Sequence, residues 1–472
     1  MRMLTRWTRT CLTAAVVLVI TWITVRTVGG FLFRRQKAPI RTFTYTPRNR
    51  SDIRLLNELE RIGLANYALP RVLDQLGELD VSEMSRQSRL FAEMHPIITQ
   101  PVKGELGALL ERRLYQYVVD GYGSVADLAK SFANGGRGIV ITTGNLYFQF
   151  AVHIIRSLRV LHCTLPVEIW HAGEGDLNTT NTQFLSSFHG VRVRDIRDHF
   201  NISMDSWDVK PFAVLASAFS EVLLMDADSV FLQDPTLLFE DAEYKRDGAL
   251  FFKDRSLFPG NCGKSHWILG LFPEPHSERI RNLRMLQAKS QYELEAGVVV
   301  INKQRHFHGL LNVGRLNVPG PIKNQIREET HGEKETFWIG LEMADEPYAF
   351  MPHLPGSLGT PQYNDKERVT ELCGKLVHFD RAGRILWFND AIAASKLPND
   401  YFLTETMELS HFAREIEGEW EALCLRKCPF HLVERDQLDV INRLRQIYRF
   451  EPTRRKSRTF ENNLGEMEVV YS

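Results

Sequence analysis

Beyond residue 134 the chain alternates short apolar runs with amphipathic segments. The apolar runs lie at 139–143, in "PVEIWHA", in "VRVRDI" and in "VLLM", and each predicts a short buried strand. The segments between them, at 146–162, near 181–188 and in "WDVKPFAVLASAFS", have the spacing of helices. Strands that alternate with helices of this length predict an α/β fold with a parallel sheet and right-handed crossovers.

The flanking segments differ from this pattern. Residues 34–50 are basic and lack periodicity, which predicts a flexible stem. Helical spacing begins at Ser51, which can cap a helix, and recurs from about 104 to 119, so a helical region is expected over 51–133. The α/β domain is expected to occupy 134–390, and residues 391–472 form a C-terminal extension without an assigned role.

The N-terminal stretch "TCLTAAVVLVITWITV" contains no charged residue, and arginines stand on both sides of it. It is shorter than the roughly 20 residues that span a bilayer, but it extends to residue 33 if the Arg26 side chain reaches the membrane surface. We therefore expect a signal anchor at 10–33, with 1–9 in the cytosol and the rest of the chain in the lumen. A cleaved signal peptide or a buried helix is the alternative.

Sequons at Asn49, Asn178 and Asn201 suit such a compartment and are candidate glycosylation sites. Five of the six cysteines follow the predicted anchor, so at least one is unpaired or pairs with another chain. The spacing of Cys424 and Cys428 favours a local disulfide or two packed thiols over a redox centre.

Charge and glycine patterns exclude several classes of protein. Lys plus Arg and Asp plus Glu both number 58, so no overall basic field indicates nucleic-acid binding. No G-x-G-x-x-G follows the first predicted strand, which argues against a dinucleotide enzyme. The triplet Gly263-Lys264-Ser265 resembles the end of a P-loop, but Phe258 stands where that loop needs its first glycine.

The fourth predicted strand is followed directly by an Asp-x-Asp pair, Asp226 and Asp228. In open α/β sheets, ligands bind beyond the carboxyl ends of the strands. In an extended chain the two side chains point the same way, so both carboxylates would face one spot. Mg²⁺ or Mn²⁺ would offset their repulsion and bridge to substrate phosphates. The alternative is an acidic turn with both side chains in solvent.

Seven sequence blocks between about 136 and 390 carry a family resemblance: "RGIVITTGNLYFQFAVHIIRSLR", "CTLPVEIWHAG", "WDVKPFAVLASAFSEVLLMDADSVFLQDP", "RSLFPG", "YELEAGVVVINK", "GEKETFWIGLE" and "LVHFDRAGRILWFN". In this order they resemble the fungal α-1,3-mannosyltransferases of the secretory pathway. The resemblance implies a GT-A fold with a mostly parallel, Rossmann-like sheet, a GDP-mannose donor and Mn²⁺. It also implies a Golgi type II membrane enzyme that adds mannose in α-1,3 linkage to mannose on glycoproteins, with retention of configuration.

The same resemblance implies roles for the metal ligands. Asp228 is the expected direct ligand, and Asp226 would reach the metal or the ribose. In similar GT-A enzymes a histidine near the end of the domain completes the metal shell, and His378 in "LVHFD" stands at that place. The alternative is a structural histidine that pairs with a neighbouring acid such as Asp380.

Donor contacts are expected from two further segments. Lys210 opens a predicted helix, where an ammonium group beside free amides suits a diphosphate, or it is an ordinary solvated lysine. Thr142, Thr143 and Gly144 end the first predicted strand, where the guanine nucleoside is expected, and Gly144 would permit close backbone approach.

Two glutamates complete the candidate catalytic set with Asp226 and Asp228. Glu295 precedes the buried run "AGVVVI" and would stabilise positive charge at the sugar or bind the acceptor hydroxyl. Glu333 stands in "GEKETFWIGLE", where the family usually has an aspartate, which leaves its contact open. Both glutamates would otherwise be surface acids.

Two rival functions remain open from the sequence. A related enzyme with a UDP-galactose or UDP-glucose donor fits the Asp-x-Asp equally well, because the metal contacts only the diphosphate. A catalytically silent subunit of a mannosyltransferase complex is the second rival, against which the intact Asp226, Asp228 and His378 argue.

Overall fold

The computed structural model describes residues 79–204, 208–260, 262–363, 369–392, 408–415, 419–421, 424–427, 429–449, 458–461 and 467–470. The predicted anchor and stem, the helix expected at Ser51 and the sequon at Asn49 lie outside these residues. Within the described residues, no helix combines the length and hydrophobicity that crossing a bilayer requires.

A seven-stranded sheet forms the centre of the molecule. Its strands are β1 (Arg137–Thr142), β2 (Val167–His171), β3 (Val191–Asp195), β4 (Glu221–Asp226), β6 (Ala249–Lys253), β7 (Leu294–Asn302) and β8 (Ala349–Phe350), in the order β3-β2-β1-β4-β7-β6-β8. The first four strands are parallel, and only β7 runs antiparallel to its neighbours within this sheet. The mostly parallel α/β sheet predicted from the sequence is therefore confirmed, and the reversed β7 is an addition to it.

A second sheet is joined to the first by the short strand β5 (Val230–Phe231). It contains β9 (Gly356–Tyr363), β10 (Val369–Phe379), β11 (Ile385–Phe388), β12 (His411–Arg414), β13 (Glu419–Glu421), β14 (Cys424–Arg426) and β15 (Phe430–Leu432). Since β12 pairs with β9 and β14 with β10, this sheet includes strands from both sides of residue 390. Two further strands, β16 (Arg458–Glu461) and β17 (Met467–Val470), pair only with each other among the described residues.

A disulfide ties the C-terminal strands to β10. Cys373 and Cys424 stand opposite each other on β10 and β14 and are bonded. The expected local pairing of Cys424 with Cys428 is therefore wrong, because the antiparallel register brings Cys424 to a partner 51 residues earlier. Cys163 is buried and free.

Helices cover both faces of the central sheet. They are α1 (Val81–Met94), α2 (Gly104–Tyr122), α3 (Val125–Phe132), α4 (Phe148–Val160), α5 (Thr179–Ser186), α6 (Val209–Ala216), α7 (Ala242–Asp247), α8 (Cys262–Gly270), α9 (Glu278–Arg281), α10 (Phe307–Asn317), α11 (Pro321–Glu329), α12 (Thr336–Met343) and α13 (Arg435–Arg449). Side chains alternate along the strands, so Val140 joins one apolar core and Ile139 and Ile141 join the other. Helices α1–α3, α6, α10 and α12 enclose the first core, and α4 and α13 enclose the second.

Buried polar contacts fasten the helical layer α1–α3 to α10. Asn312 on α10 accepts hydrogen bonds from the Ser88 hydroxyl (2.8 Å) and the Tyr115 hydroxyl (2.7 Å). His95, which follows α1, meets His308 on α10 with its Nδ1 3.3 Å from Nε2. Burial lowers the pKa of His308 to about 3, and the charge on His95 opposes its protonation as well.

We predict that acidification destabilises the protein through His308. The unfolded imidazole takes up a proton near pH 6.5 whereas the folded one stays neutral, so stability present above pH 6.5 declines as the pH falls toward 3. At pH 5.5 the loss from this residue is about 1.4 kcal/mol. Denaturant unfolding of the wild type and of His308→Gln at pH 7.5 and 5.5 measures it. An equal pH dependence in both proteins would contradict the prediction.

Candidate active site

The Asp-x-Asp lies at the carboxyl edge of the central sheet, where three strands meet. Asp226 is the last residue of β4, and it stands beside Thr142, the last residue of β1. On the other side of β4 lies the N-terminal half of the antiparallel β7, because Met225 pairs with Val298. The Ser229 amide donates to the Asp226 carbonyl at 3.0 Å, so the chain turns sharply after the strand. This turn places Asp228, which is only 5% exposed, inside the molecule rather than in solvent.

Lys210 binds two carboxylates at this edge. Its Nζ lies 2.6 Å from Asp226 Oδ1 and 2.9 Å from Glu333 Oε1, and its side chain is 8% exposed. Burial alone would lower the pKa of Lys210, but the charges of Asp226 and Glu333 raise it above its usual value. Lys210 is therefore a fixed buried cation. The alternatives of a solvated lysine at 210 and a surface acid at 333 are wrong, because both side chains are buried.

Asp226 is strained electrostatically even with Lys210 beside it. Burial raises the pKa of Asp226, the ion pair with Lys210 opposes this rise, and the charge of Asp228 adds to it. A buried carboxylate whose ionised form is destabilised by a second carboxylate favours any additional cation that reaches it.

Glu295 lies on β7 itself, as the second residue of the strand, and not before it as the sequence suggested. Its Oε1 accepts hydrogen bonds from the Gly297 amide (3.0 Å) and from Asn389 Nδ2 (3.2 Å). Burial raises the pKa of Glu295 to about 7, and the charges of Asp254 and Asp226 contribute to the rise. Glu295 thus lies within electrostatic reach of Asp226, and its role at the sugar or the acceptor stays a prediction.

His378 occupies an aromatic niche on β10. Its ring stacks on Trp387 with the ring centres 4.2 Å apart and meets the edge of Phe252 at 5.4 Å. Burial lowers its pKa to about 3, so the ring is neutral, and no hydrogen-bond partner for Nε2 is found among the described residues. Asp380 is instead occupied by Gln233, so it does not serve His378 as the structural alternative supposed.

The types of ligand atom in these side chains suit a divalent cation, but the distances between the atoms are too long for all of them to bind one ion. Carboxylate oxygens and a neutral imidazole nitrogen suit Mn²⁺ or Mg²⁺, and the buried Nε2 of His378 lacks a described partner. Two atoms bound to one such ion lie at most about 4.2 Å apart. Among the described residues, only Glu371, Cys373 and Cys424 bring three ligand atoms within 4.8 Å, and two of these form the disulfide. At least one of Asp226, Asp228 and His378 would therefore shift on metal binding.

The end of β1 is closed by the chain itself. The Thr143 amide donates to the Trp170 carbonyl at 3.1 Å, which keeps β1 and β2 together past the last strand residue. Gly144 does permit close approach: a Cβ there would lie 2.2 Å from Asp176 Oδ1. The approaching group is Asp176 of the same chain, which also accepts from the Ala172 amide at 2.9 Å.

Three charged residues near the site were not identified from the sequence. Asp254, which follows β6, pairs with Lys334 at 2.5 Å, and both act electrostatically on Glu295. Lys375 on β10 lies 1% exposed beside Asp390. The sequence could have indicated Asp254, because this acidic residue stands at the end of a strand. No local pattern distinguishes Lys334 or Lys375 from other lysines.

Two of the predicted glycosylation sites are accessible. Asn178 and Asn201 are exposed, and Asn178 also caps α5 by accepting from the Asn181 amide at 2.9 Å. Glycosylation at either residue stays a prediction.

A mostly parallel α/β sheet with a buried Asp-x-Asp at the end of its fourth strand is the arrangement that the sequence blocks led us to expect of a glycosyltransferase. The family model described as "Mannosyltransferase putative" matches residues 136–380. This is more than half of the 472 residues, so the chain belongs to that mannosyltransferase family. The family resemblance identified from the sequence blocks is confirmed.

Several fungal proteins named as α-1,3-mannosyltransferases are similar to part of the chain. It is 27% identical over 255 residues to "Putative alpha-1,3-mannosyltransferase MNN14" of Candida albicans, covering 48% of this chain and 36% of that protein. It is 24% identical over 304 residues to "Alpha-1,3-mannosyltransferase MNT2" of Saccharomyces cerevisiae, covering 56% and 53%. The match spans only 34–42% of the length of four Candida albicans relatives.

Solved structures resemble the chain only weakly. The bifunctional glycosyltransferase WbbM has a TM-score of 0.31 and 14% identity, covering 46% of this chain and 39% of its own. The galactosyltransferase LgtC has a TM-score of 0.30 and 14% identity, covering 45% and 73%. Likenesses at this level say nothing about function.

We predict that Lys210→Met lowers the free energy of unfolding by about 3–5 kcal/mol, because it leaves the buried carboxylates of Asp226 and Glu333 without their cation. Chemical denaturation measures the change. Lys245→Met is the matched control: its ion pair with Glu240 is equally short at 2.6 Å but exposed, so little change is expected. Similar stability of the two variants would contradict the prediction.

Proposed function

We propose that the protein is a metal-dependent, retaining α-1,3-mannosyltransferase that transfers mannose from GDP-mannose to mannose on glycoprotein glycans. Family membership supports mannosyl transfer, and the similarity to proteins named as α-1,3-mannosyltransferases supports the α-1,3 linkage. We further propose that it acts in the Golgi lumen from an N-terminal type II anchor at 10–33, for which the apolar N-terminus and the accessible sequons are the support.

The observation that carries this proposal is the buried ion cluster at the end of β4. Lys210, Asp226 and Glu333 are in contact, and Asp228 adds a further negative charge beside them. A sugar diphosphate needs positive charge around it, and these carboxylates would bind the divalent cation that supplies this charge. Mn²⁺ or Mg²⁺ held by Asp226, Asp228 and His378 would neutralise the diphosphate and ease its departure.

The protein's own residues then have separate tasks. Lys210 supplies a permanent positive charge for the diphosphate, because two carboxylates keep it protonated. Glu333 holds Lys210 in place together with Asp226. Glu295 is held by hydrogen bonds from Gly297 and Asn389. It would stabilise positive charge that develops at the sugar, or bind the hydroxyl group of the acceptor.

Nucleoside binding is assigned to the end of β1. Thr142 neighbours Asp226 directly, so a nucleotide whose diphosphate lies at Asp226 would extend over Thr142, Thr143 and Gly144. Because the metal and Lys210 contact only the diphosphate, this end of the site must select guanosine over uridine.

We predict that Asp228→Asn reduces mannose transfer by at least about 100-fold, since it removes a metal-binding charge while retaining the shape of the side chain. The melting temperature should remain close to that of the wild type. Radiolabelled transfer from GDP-mannose to a mannoside at saturating Mn²⁺ measures the loss. The control is Asp127→Asn, an exposed acid on α3 paired with Lys130 at 2.7 Å. Near-normal turnover in Asp228→Asn would overturn the metal assignment.

We predict that GDP binds at least about tenfold more tightly than UDP in the presence of Mn²⁺, and that the product is an α-1,3-linked mannoside. Isothermal titration with both nucleotides and linkage analysis on a panel of mannosides test this. Tighter UDP binding would identify a UDP-hexose enzyme. Binding of GDP-mannose without transfer to any mannoside would favour a silent subunit.

A further inference from the structure

The turn formed by Asn389, Asp390 and Ala391 contacts two of the proposed catalytic residues. The Ala391 amide donates to the carbonyl of Asp228 at 2.8 Å. The Asn389 side chain donates to Glu295 Oε1 at 3.2 Å. One short turn of the second sheet thus fixes both the Asp-x-Asp and the glutamate on β7.

The backbone of this turn is in an unfavourable conformation. Asp390 has φ +85° and Ala391 has φ +50°, and neither is a glycine. Residues other than glycine rarely adopt left-handed backbone angles. Two such residues in succession persist only where surrounding contacts enforce the conformation. Such conformations concentrate at functional sites.

A buried lysine supplies the enforcing contact. Lys375 Nζ donates to the Asp390 carbonyl at 2.7 Å and lies 3.5 Å from Asp390 Oδ2. The Lys375 side chain is 1% exposed, so its charge is retained at a desolvation cost. Burial lowers the pKa of Lys375, and the negative charges of Asp390 and Asp228 oppose that change.

The strand that carries Lys375 is held firmly. The Asn389 amide donates to the Leu376 carbonyl at 2.9 Å, and the disulfide at Cys373 anchors β10 two residues before Lys375. A rigid strand, a buried ammonium group and a strained turn therefore form a continuous connection from β10 to Asp228 and Glu295.

We propose that Lys375 is a positioning residue that sets Asp228 and Glu295 in their reactive places through the turn 389–391. This inference rests on the proposed function, since it assigns Lys375 a task in metal binding and sugar transfer. Residues that orient metal ligands change metal affinity or activity by about 10- to 100-fold when they are replaced.

The test compares Lys375→Met with Asn312→Ala in the full-length protein. Asn312→Ala breaks a buried hydrogen-bond junction in the helical layer, so it costs stability without touching the turn. The double variant Lys375→Met/Asp390→Asn also removes the carboxylate charge that pairs with Lys375, and it serves if the single variant does not fold. Mn²⁺ affinity is measured by titration calorimetry with GDP present, and kcat and KM for transfer are measured per folded protein.

We expect the Kd for Mn²⁺ to rise about tenfold or more and kcat to fall in both Lys375 variants, with neither change in Asn312→Ala. If both Lys375 variants match Asn312→Ala while the wild type transfers mannose, the positioning role is wrong and the proposed function stands. If the wild type binds Mn²⁺ and GDP but transfers no mannose, a Lys375-dependent Kd still supports positioning of Asp228. A wild type that binds neither Mn²⁺ nor GDP would overturn both proposals.

Discussion

An ammonium group shared by two buried carboxylates fixes the edge of the sheet on which the site is built. Lys210 connects α6, the end of β4 and the segment before α12, three elements that are distant in sequence. A buried charge without a partner is costly, so each member of this group constrains the others. The position of Asp226, and with it the direction in which the chain turns toward Asp228, follows from that constraint.

The second sheet completes the site from the other side. The chain passes from Asp228 directly into β5, which pairs with β11, and β11 pairs with β10. Because the disulfide and the pairing of β12 with β9 hold strands from beyond residue 390 in this sheet, the C-terminal segment supports the strand that carries His378 and Lys375. The region to which the sequence assigned no role is therefore structurally continuous with the candidate active site.

Local sequence patterns were sufficient to predict the first four strands of the central sheet and the helices between them, but not the contacts between residues that are distant in sequence. The strands β1–β4, the helix at Lys210 and the placement of Asp226 and Asp228 follow from periodicity and from where ligands bind in such sheets. The apolar run of β7 carries no information on direction, so its antiparallel orientation was not predictable from it. The pairing of Lys210 with Glu333 depends on folding that brings distant segments together. Lys375 escaped notice because one lysine among apolar residues has no distinguishing spacing.

The charges at the end of β4 are the reason that we propose a divalent cation there. Lys210 contacts Asp226 and Glu333, and Asp228 adds a further negative charge that acts on Asp226, so when all four are ionised this group has an excess of two negative charges. Burial already raises the pKa of Asp226, so the group is stable in this form only at an electrostatic cost. On the proposed function, a divalent cation would remove the excess without adding a proton to any ligand, and Lys210 would stay charged for an incoming diphosphate. This charge imbalance would, on the proposed function, favour binding of a metal and its phosphate-bearing substrate together.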